Sequence, residues 1–378
     1  MRRPVVHTFA LRSAILVALL AGVVACTTTS AQAPSPTDAA AAPEAGDSTT
    51  VPTATAESAT PTTPPPSTVA PTTAAPTTTA APTTTTLPVP SVIVPDVLPD
   101  VTEAATLGPQ PDGPNARNAS GDRPEVYDNG CHVAWNITTP KQGCVYGDRN
   151  SSTVIAVVGD SHAAAWAGAF DEAGKANGWK IVMVTKSGCP AADVTVYSAA
   201  DPNQRNVVYS QCDQWRPNAL AHANSLKPAM VVLPLLSRRS VVGVPRAQAV
   251  GAWQKGLGAT IDTVKSTGAK VLVVGDVPKM NGQSIPACIG GNRSNIGACD
   301  SPRSAAVKTE RIGPLSETAV QHGATFVDVS NWFCTADSCQ VDINGIVVFR
   351  DEHHITDTFS RYRAPQMAQA IEAAFATR

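Results

Sequence analysis

The sequence predicts an α/β protein, a doubly wound three-layer sandwich around a mostly parallel five-stranded sheet. From about residue 151 to the C-terminus, short apolar runs rich in β-branched residues alternate with helical patterns. Alternation of this kind predicts a parallel sheet with helices on both faces. In such a sheet, functional sites lie at the carboxyl ends of the strands.

Five segments are predicted as strands because they are short, apolar and mostly β-branched. They are Thr153–Val158, Lys180–Thr185, Met230–Leu235, Lys270–Val274 and Ala324–Val329. Three helices are predicted from their boundary residues: one starts after Pro245 and ends before Gly268. A second begins at Ser301-Pro302, an N-cap followed by proline, and ends before Gly323. The last runs from about Ser360 to Ala376.

Residues 1–26 are interpreted as an export signal with a lipobox. Arg2, Arg3 and Arg12 precede an apolar segment over residues 14–25 that is too short to span a bilayer. Val23-Val24-Ala25-Cys26 resembles a bacterial lipobox, which predicts lipidation of Cys26 and an anchor on the outer face of the cell membrane. A cleaved signal peptide with an incidental cysteine is the alternative.

Residues 27–90 predict a disordered stalk because they are almost entirely Thr, Ala, Pro and Ser. Such a segment has too little apolar surface to offset the entropy lost on ordering. Residues 91–150 are expected to form a loop-rich segment packed on the core, with Ser91–Val101 along an edge. Residues 151–378 are the predicted catalytic domain.

The chain has nine cysteines, and setting aside Cys26 leaves an even number. An even set in an exported chain predicts disulfides. Because short loops cost least to close, we expect neighbours to pair. The expected bridges are Cys131–Cys144, Cys189–Cys212, Cys288–Cys299 and Cys334–Cys339. Zinc binding is the competing use of these residues, but the sequence contains no Cys-x-x-Cys pair.

The formal net charge is −2 and only 15% of residues are charged. This composition does not indicate a polyanion-binding surface, so nucleic acid is not an expected partner. After the export signal, no apolar run is long enough to cross a bilayer. We expect a monomer without cofactor or metal.

Two short motifs, roughly 190 residues apart, carry the candidate catalytic residues: Gly159-Asp160-Ser161-His162 and Asp351-Glu352-His353-His354. The first motif follows the first predicted strand, which places Ser161 on a strand-to-helix turn. The second supplies a carboxylate three residues before a histidine. A nucleophile, a base and an orienting acid are the minimum set for acyl transfer through serine.

With Lys186-Ser187-Gly188-Cys189-Pro190, these motifs resemble the SGNH (GDSL-like) hydrolase superfamily over roughly residues 150–378. The resemblance is closest to the extracytoplasmic domain of acyltransferase family 3 membrane proteins, which O-acylate surface glycans. It implies a flavodoxin-like fold, with Ser161 as nucleophile, His354 as base and Asp351 as orienting acid. It also implies an oxyanion hole that uses the N–H groups of Ser161 and Gly188.

The sequence departs from the superfamily at the third block, which usually carries an Asn that completes the oxyanion hole. The corresponding stretch, Val231–Arg239, contains no Asn. Arg238 or Ser237 is a substitute donor, and Arg238 is also suited to hold a carboxylate or glycan. A surface arginine without a role is the alternative.

Other interpretations of the same residues stay open. Ser161 alone could cap the helix that follows it, and a metal site within Asp351–His354 is the main rival, although no second ligand cluster accompanies it. His353 has Arg350 three residues before it, not an acid, so it is expected to be a flanking residue. Asp160 is expected to fix the turn through backbone hydrogen bonds.

These observations predict a cell-envelope serine enzyme that transfers or removes O-acyl groups on a surface or cell-wall glycan. The resemblance favours a transferase, whose membrane acyltransferase partner would be a separate chain, while an esterase shares the chemistry up to the Ser161 acyl-enzyme. The alternative is a catalytically idle glycan-binding lipoprotein on the same fold. The missing Asn argues for that alternative, and the complete set of Ser, Asp and His argues against it.

Overall fold

The computed structural model describes residues 118–200, 206–280, 282 and 284–377, together with the backbone of Val92–Ile93. The predicted signal peptide, Cys26 and the predicted stalk lie outside the described residues. Within the described part, no helix combines the length and the apolar character that crossing a membrane requires.

The strands of the described chain belong to one large sheet and two small antiparallel two-stranded sheets. They are β1 (Val92–Ile93), β2 (His132–Val133), β3 (Val145–Gly147), β4 (Val154–Gly159), β5 (Lys180–Lys186), β6 (Met230–Pro234), β7 (Lys270–Val274), β8 (Ser301–Pro302), β9 (Thr325–Val327), β10 (Ser338–Cys339), β11 (Asp342–Ile343) and β12 (Ile346–Val347).

The α-helices of the described chain mostly connect these strands. They are α1 (Ser161–Ala165), α2 (Ala167–Asn177), α3 (Ser210–Ser225), α4 (Ala249–Lys265), α5 (Ile285–Gly291), α6 (Arg303–Ala306), α7 (Thr309–Gln321), α8 (Asp357–Tyr362) and α9 (Ala364–Ala376).

The large sheet has the order β1-β9-β7-β6-β4-β5-β2, with all of these neighbours parallel, and β3 pairs antiparallel with β5. Its inner five strands are the five predicted ones, each within two residues of the predicted bounds. The prediction of a doubly wound, mostly parallel α/β sandwich is therefore confirmed. The sheet has eight strands where five were predicted, because β1, β2 and β3 are too short for periodicity to reveal.

The sheet separates two hydrophobic clusters, one on each face, and so forms the middle layer of the three-layer sandwich. Ile155 and Val157 of β4 face the cluster that contains α2, α8 and α9. Ala156 and Val158 of the same strand face the cluster that contains α3, α4 and α7. Alternate residues of a buried parallel strand therefore support opposite layers, which explains why these strands are continuously apolar.

The strand order reverses at β4, whose neighbours are β5 on one side and β6 on the other. The chain leaves β4 into the α1–α2 layer, returns in β5, and later crosses to β6 on the other side. The carboxyl ends of strands that flank such a reversal leave a crevice between them. Ser161 begins α1 directly beyond β4, so it lies at the edge where that crevice opens.

The predicted single helix after Ser301 is wrong. Ser301–Pro302 instead forms β8, which pairs with Ser338–Cys339 of β10. The helix that follows is interrupted at Val307, whose extended backbone (φ −93°, ψ 124°) separates α6 from α7. Pro302 was predicted to be the first helical residue, whereas α6 begins one residue later, at Arg303.

Four disulfides join the described cysteines, and they are the neighbour pairs expected from loop length: Cys131–Cys144, Cys189–Cys212, Cys288–Cys299 and Cys334–Cys339. The Cys189–Cys212 bridge ties the loop after β5 to α3, and both of its residues are fully buried. This bridge therefore fixes the Gly188 loop against the core.

Candidate active site

Ser161, His354 and Asp351 form a continuous hydrogen-bonded chain. Ser161 Oγ lies 2.8 Å from His354 Nε2, and His354 Nδ1 lies 2.6 Å from Asp351 Oδ2. The structure thus brings together three side chains that the sequence separates by up to 193 positions. The candidate nucleophile, base and orienting acid thus stand in the order that would activate a serine hydroxyl.

The loop that carries Asp351 and His354 is shaped by its own backbone hydrogen bonds. Asp351 Oδ1 accepts hydrogen bonds from the N–H groups of His353 (2.8 Å) and His354 (2.7 Å). The N–H of Arg350 donates to the carbonyl of His354 at 2.9 Å and closes the loop. The spacing of three residues therefore places the carboxylate directly against the imidazole of its own turn.

Burial alone would raise the pKa of Asp351, but the hydrogen bonds that its carboxylate accepts and its electrostatic interaction with His354 outweigh the effect of burial. The side chain of His354 and the N–H groups of His353 and His354 together hold the pKa of the Asp351 carboxyl well below its usual range. Asp351 is therefore an anion at neutral pH, as an orienting acid must be.

Ser161 is held by the turn that begins at Asp160. Asp160 is fully buried, and its Oδ1 accepts a hydrogen bond from the N–H of His162 at 2.8 Å. The Ser161 carbonyl accepts a hydrogen bond from Tyr127 Oη at 3.1 Å. Asp160 therefore caps α1 and fixes the turn as expected, which leaves Ser161 Oγ free to bond His354.

Burial, as the largest cause, raises the pKa of Asp160 from 3.8 to about 7. The folded protein then holds a proton that the unfolded chain releases between these values, so this contribution to stability is lost as pH rises through about 7. Asp160→Asn keeps a capping oxygen and does not titrate. We expect its free energy of unfolding to fall less than that of the native protein between about pH 5 and about pH 8. Urea unfolding at both pH values tests this, and equal falls in the two proteins would contradict it.

His162 and His353 form a second hydrogen-bonded pair beside the first chain. His162 Nε2 lies 3.0 Å from His353 Nδ1, and the rings of His353 and His354 lie 4.1 Å apart at their centroids. Burial lowers the pKa of both His162 and His353, that of His353 to about 3, so both rings are neutral at neutral pH. His162 Nδ1 is buried without a partner among the described residues. A proton on His162 Nε2, donated to His353 Nδ1, is therefore the better-satisfied arrangement.

Nitrogen atoms of three histidines, His162, His353 and His354, lie within 4.8 Å of one another, which is the geometry of a candidate metal cluster. This set differs from the predicted rival site, because Asp351 and Glu352 do not belong to it. Four of these ring nitrogens already pair with one another, with Ser161 or with Asp351. The arrangement favours acid–base chemistry through His354 over metal ligation.

A cavity of about 830 Å³ opens above Ser161. Its wall contains Ser161, His353, His354, Gly188 and residues of the loop after β6. It also contains Tyr127, His132 of β2 and Trp135, all from the segment over residues 91–150 that was predicted to pack on the core. This segment therefore belongs to the site as well as to the core packing that the sequence predicted.

A buried lysine attaches that segment to the sheet. Lys186, at the end of β5, donates from Nζ to the carbonyls of Ala134 (2.8 Å), Trp135 (2.7 Å) and Ile137 (2.6 Å). Burial lowers the pKa of Lys186 to about 8. Lys186 thus positions the part of the cavity wall that contains Trp135. By contrast, the side chains of Trp166, Trp215 and Trp332 are buried in the core.

Gly188 lies in the cavity wall with a left-handed backbone (φ +58°). A Cβ atom at this position would collide with the Trp135 ring and would lie 2.5 Å from Arg239 Nη1. Arg239 also donates to the Gly188 carbonyl at 2.9 Å. Only glycine therefore fits where the loop approaches Trp135 and Arg239.

The structure distinguishes Ser237 from Arg238, the two candidates to replace the Asn that the third block lacks as an oxyanion donor. The N–H and Oγ of Ser237 both donate to Asp276 Oδ2, at 2.9 and 2.6 Å, so the donors of Ser237 are occupied. Arg238 lines the cavity, and its Nη1 and Nη2 are buried without a hydrogen-bond partner among the described residues. Arg238 is the candidate that retains free donors.

Several cavity residues have no signal in the sequence. Tyr127, at the end of a short 3-10 helix, and His132 of β2 lie outside the recognised motifs, as do Lys279 and Arg350, which lie in loops. All four meet the site only through tertiary contacts. Arg350 donates to Tyr127 Oη at 2.9 Å and lies over its ring. Only the adjacency of Arg350 to Asp351 could have marked one of these four residues.

A family model for the SGNH domain that is fused to AT3 domains matches residues 130–369, which include both motifs. The chain belongs to the SGNH domain family. The family resemblance predicted from the three blocks is thus confirmed, and the protein belongs to a group of acyl-transfer and hydrolase enzymes. Comparison with curated protein sequences gives no match.

The solved structures similar to this SGNH domain include the following two. The periplasmic domain of a lipopolysaccharide acetyltransferase from Salmonella ser. Paratyphi A is 19% identical, and the match covers 66% of this chain and 94% of that domain (TM-score 0.49). A GDSL-like lipase from Bacteroides thetaiotaomicron is 13% identical, with 59% and 87% covered (TM-score 0.34).

Proposed function

We propose that this SGNH domain transfers or removes O-acyl groups on a cell-envelope glycan through a Ser161 acyl-enzyme. The Ser161–His354–Asp351 hydrogen-bond chain is the observation that carries the proposal, because each link has the length needed for proton transfer. The cavity above Ser161 provides room for an acyl donor and a sugar.

The proposed reaction has two halves. Ser161 Oγ attacks the acyl carbonyl while His354 Nε2 takes its proton, and collapse of the tetrahedral intermediate expels the donor alcohol with that proton. A sugar hydroxyl or water then attacks the acyl-enzyme, passes its proton to His354, and releases the product and free Ser161. Asp351 stabilises the imidazolium that forms in each half.

The developing oxyanion needs hydrogen-bond donors, and we assign these to the N–H groups of Ser161 and Gly188. Arg238 is the proposed third donor in place of the missing Asn, since both of its Nη atoms are buried and unpartnered among the described residues. A preorganised donor of this kind is worth roughly 10²- to 10³-fold in rate.

The proposed location is the outer face of the cell membrane, with Cys26 as the lipid anchor and residues 27–90 as the stalk. A separate membrane acyltransferase is the proposed partner, because the matched family is defined by fusion to such a domain. The protein itself is proposed to act as a monomer without metal or cofactor.

Transferase and esterase are separated by adding acceptor sugars to an acyl donor. A bound hydroxyl has a high effective molarity relative to water, so suitable envelope oligosaccharides should raise donor turnover and yield O-acylated sugar. Mass spectrometry of the products is the measurement. If turnover is unchanged and free acid is the only product, the transferase proposal fails and the esterase proposal stands.

We expect Asp351→Asn to reduce turnover less than His354→Ala, because it misorients the base instead of removing it. His353→Ala should retain most activity, since the His353 ring is outside the chain that joins Ser161 to Asp351. Turnover of a small activated ester checks both. Equal losses at the two histidines, or rescue by a divalent metal, would favour the metal site instead.

A further inference from the structure

The charged residues that line the cavity all have one sign. Among the described residues, its wall contains four cationic side chains, Arg238, Arg239, Lys279 and Arg350, and no carboxylate. The whole chain has a net charge of −2, so this concentration of positive charge is local. The serine chemistry requires donors to one transient oxyanion, which does not account for four cations.

The partners of these cations leave most of their charge uncompensated. Arg239 donates to the carbonyls of Gly188 and Tyr197, and Arg350 donates to the Tyr127 hydroxyl, so these partners are neutral. Arg238 has neither a hydrogen bond to its Nη atoms nor a salt bridge within the described chain. Lys279 alone contacts an acid, Glu352, at 3.5 Å, and that pair is partly exposed.

Two buried acids lie near the arginines but compensate them incompletely. Asp160 and Asp276 interact electrostatically with Arg239 and Arg238 respectively, without forming salt bridges in the described chain. Burial raises the pKa of both carboxyls, and it raises that of Asp160 to about 7, which reduces the negative charge of Asp160 near neutral pH. The surface that faces the cavity is therefore cationic, while Asp160, Asp276 and the anionic Asp351 are outside its lining.

We propose that the cavity binds a substrate that carries an oxyanionic group, a carboxylate or a phosphate, on its sugar. Arg350 and Lys279 line the cavity with positive charge for such a group. Arg238, whose buried Nη atoms are assigned to the oxyanion, adds the charge of its guanidinium. This inference deepens the proposed function: the glycan that receives or loses the acyl group is acidic.

Binding can be measured without catalysis by using the full chain with Ser161→Ala. The probes are glucuronate, its uncharged methyl ester, and glucose 1-phosphate, each titrated at low ionic strength and followed by NMR chemical shifts. At least one anionic probe should bind about tenfold more tightly than the methyl ester, and the preference should shrink as salt is added. The tighter of the two anionic probes identifies the carboxylate or the phosphate as the group.

Two substitutions of opposite effect test the origin of the preference. Lys279→Gln should weaken binding of the preferred anion about twofold to fivefold, whereas Glu352→Gln, which removes the acid beside Lys279, should strengthen it by a similar factor. Lys255→Gln, at an exposed position on α4 outside the cavity wall, should change nothing.

Equal binding of glucuronate, its methyl ester and glucose 1-phosphate, or no binding of either anion, would overturn the proposal. So would identical effects of Lys279→Gln and Lys255→Gln. None of these results depends on acyl transfer. The proposed function fails separately, if native protein does not form a covalent adduct at Ser161.

Discussion

Replacement of Ser161 by alanine should reduce turnover of an activated acyl ester by roughly three orders of magnitude or more. The substitution removes Ser161 Oγ, which lies 2.8 Å from His354 Nε2. His354→Ala should cost nearly as much, because an unactivated serine hydroxyl is a poor nucleophile. Steady-state kinetics with a small neutral ester, together with thermal unfolding to confirm an intact fold, provide the measurement.

The two residues should act as one unit. The double variant Ser161→Ala/His354→Ala is therefore expected to lose no more activity than either single variant. Ser225→Ala, at the end of α3, is the matched serine control and should retain full activity, since Ser225 Oγ donates to the His222 carbonyl of its own helix and is outside the cavity lining. Additive losses would contradict a shared mechanism.

Gly188→Ala should have the next largest effect, on both stability and activity. The left-handed backbone costs a non-glycine residue about 1 kcal/mol, and the collision with Trp135 and Arg239 adds to that cost. The loop must shift to accommodate the methyl group, and the Gly188 N–H shifts with it. We expect turnover to fall about 10²-fold if that N–H serves the oxyanion.

Gly243→Ala is the control that separates the effect of backbone strain from that of the steric collision at Gly188. Gly243 also has a positive φ (+71°), but a Cβ there would meet nothing within 4 Å. It should lose about 1 kcal/mol of stability and keep its activity. If Gly188→Ala matched this control in turnover, the Gly188 N–H would not belong to the oxyanion hole.

The inner sheet could be predicted because its strands are buried on both faces and read as continuous apolar runs. The short strands β1, β2 and β3 could not, since two or three residues carry no periodic signal. The break at Val307 was missed because local propensity continues through it, while the pairing of Ser301–Pro302 with β10 is a tertiary contact. The Ser301-Pro302 signal predicted the start of a helix to within one residue, whereas tertiary contacts determined the length of that helix.

The Ser161–His354–Asp351 chain could be predicted because each residue belongs to a motif with fixed local geometry. The cavity wall could not, because Tyr127, Lys279 and Arg350 come from separate segments that only the fold brings together. Arg238 lies between these cases: the missing Asn drew attention to it, and the structure adds that its guanidinium is buried without a partner among the described residues. Local motifs therefore predict the candidate catalytic residues, whereas tertiary packing determines which side chains line the cavity.

Covalent labelling by a serine-directed fluorophosphonate is the most direct test of the central claim, that Ser161 is an activated nucleophile. The native protein should gain one adduct, located at Ser161 by peptide mass mapping, and both Ser161→Ala and His354→Ala should prevent it. An unlabelled native protein, or an adduct on a different serine, would contradict the claim and leave the glycan-binding alternative in its place.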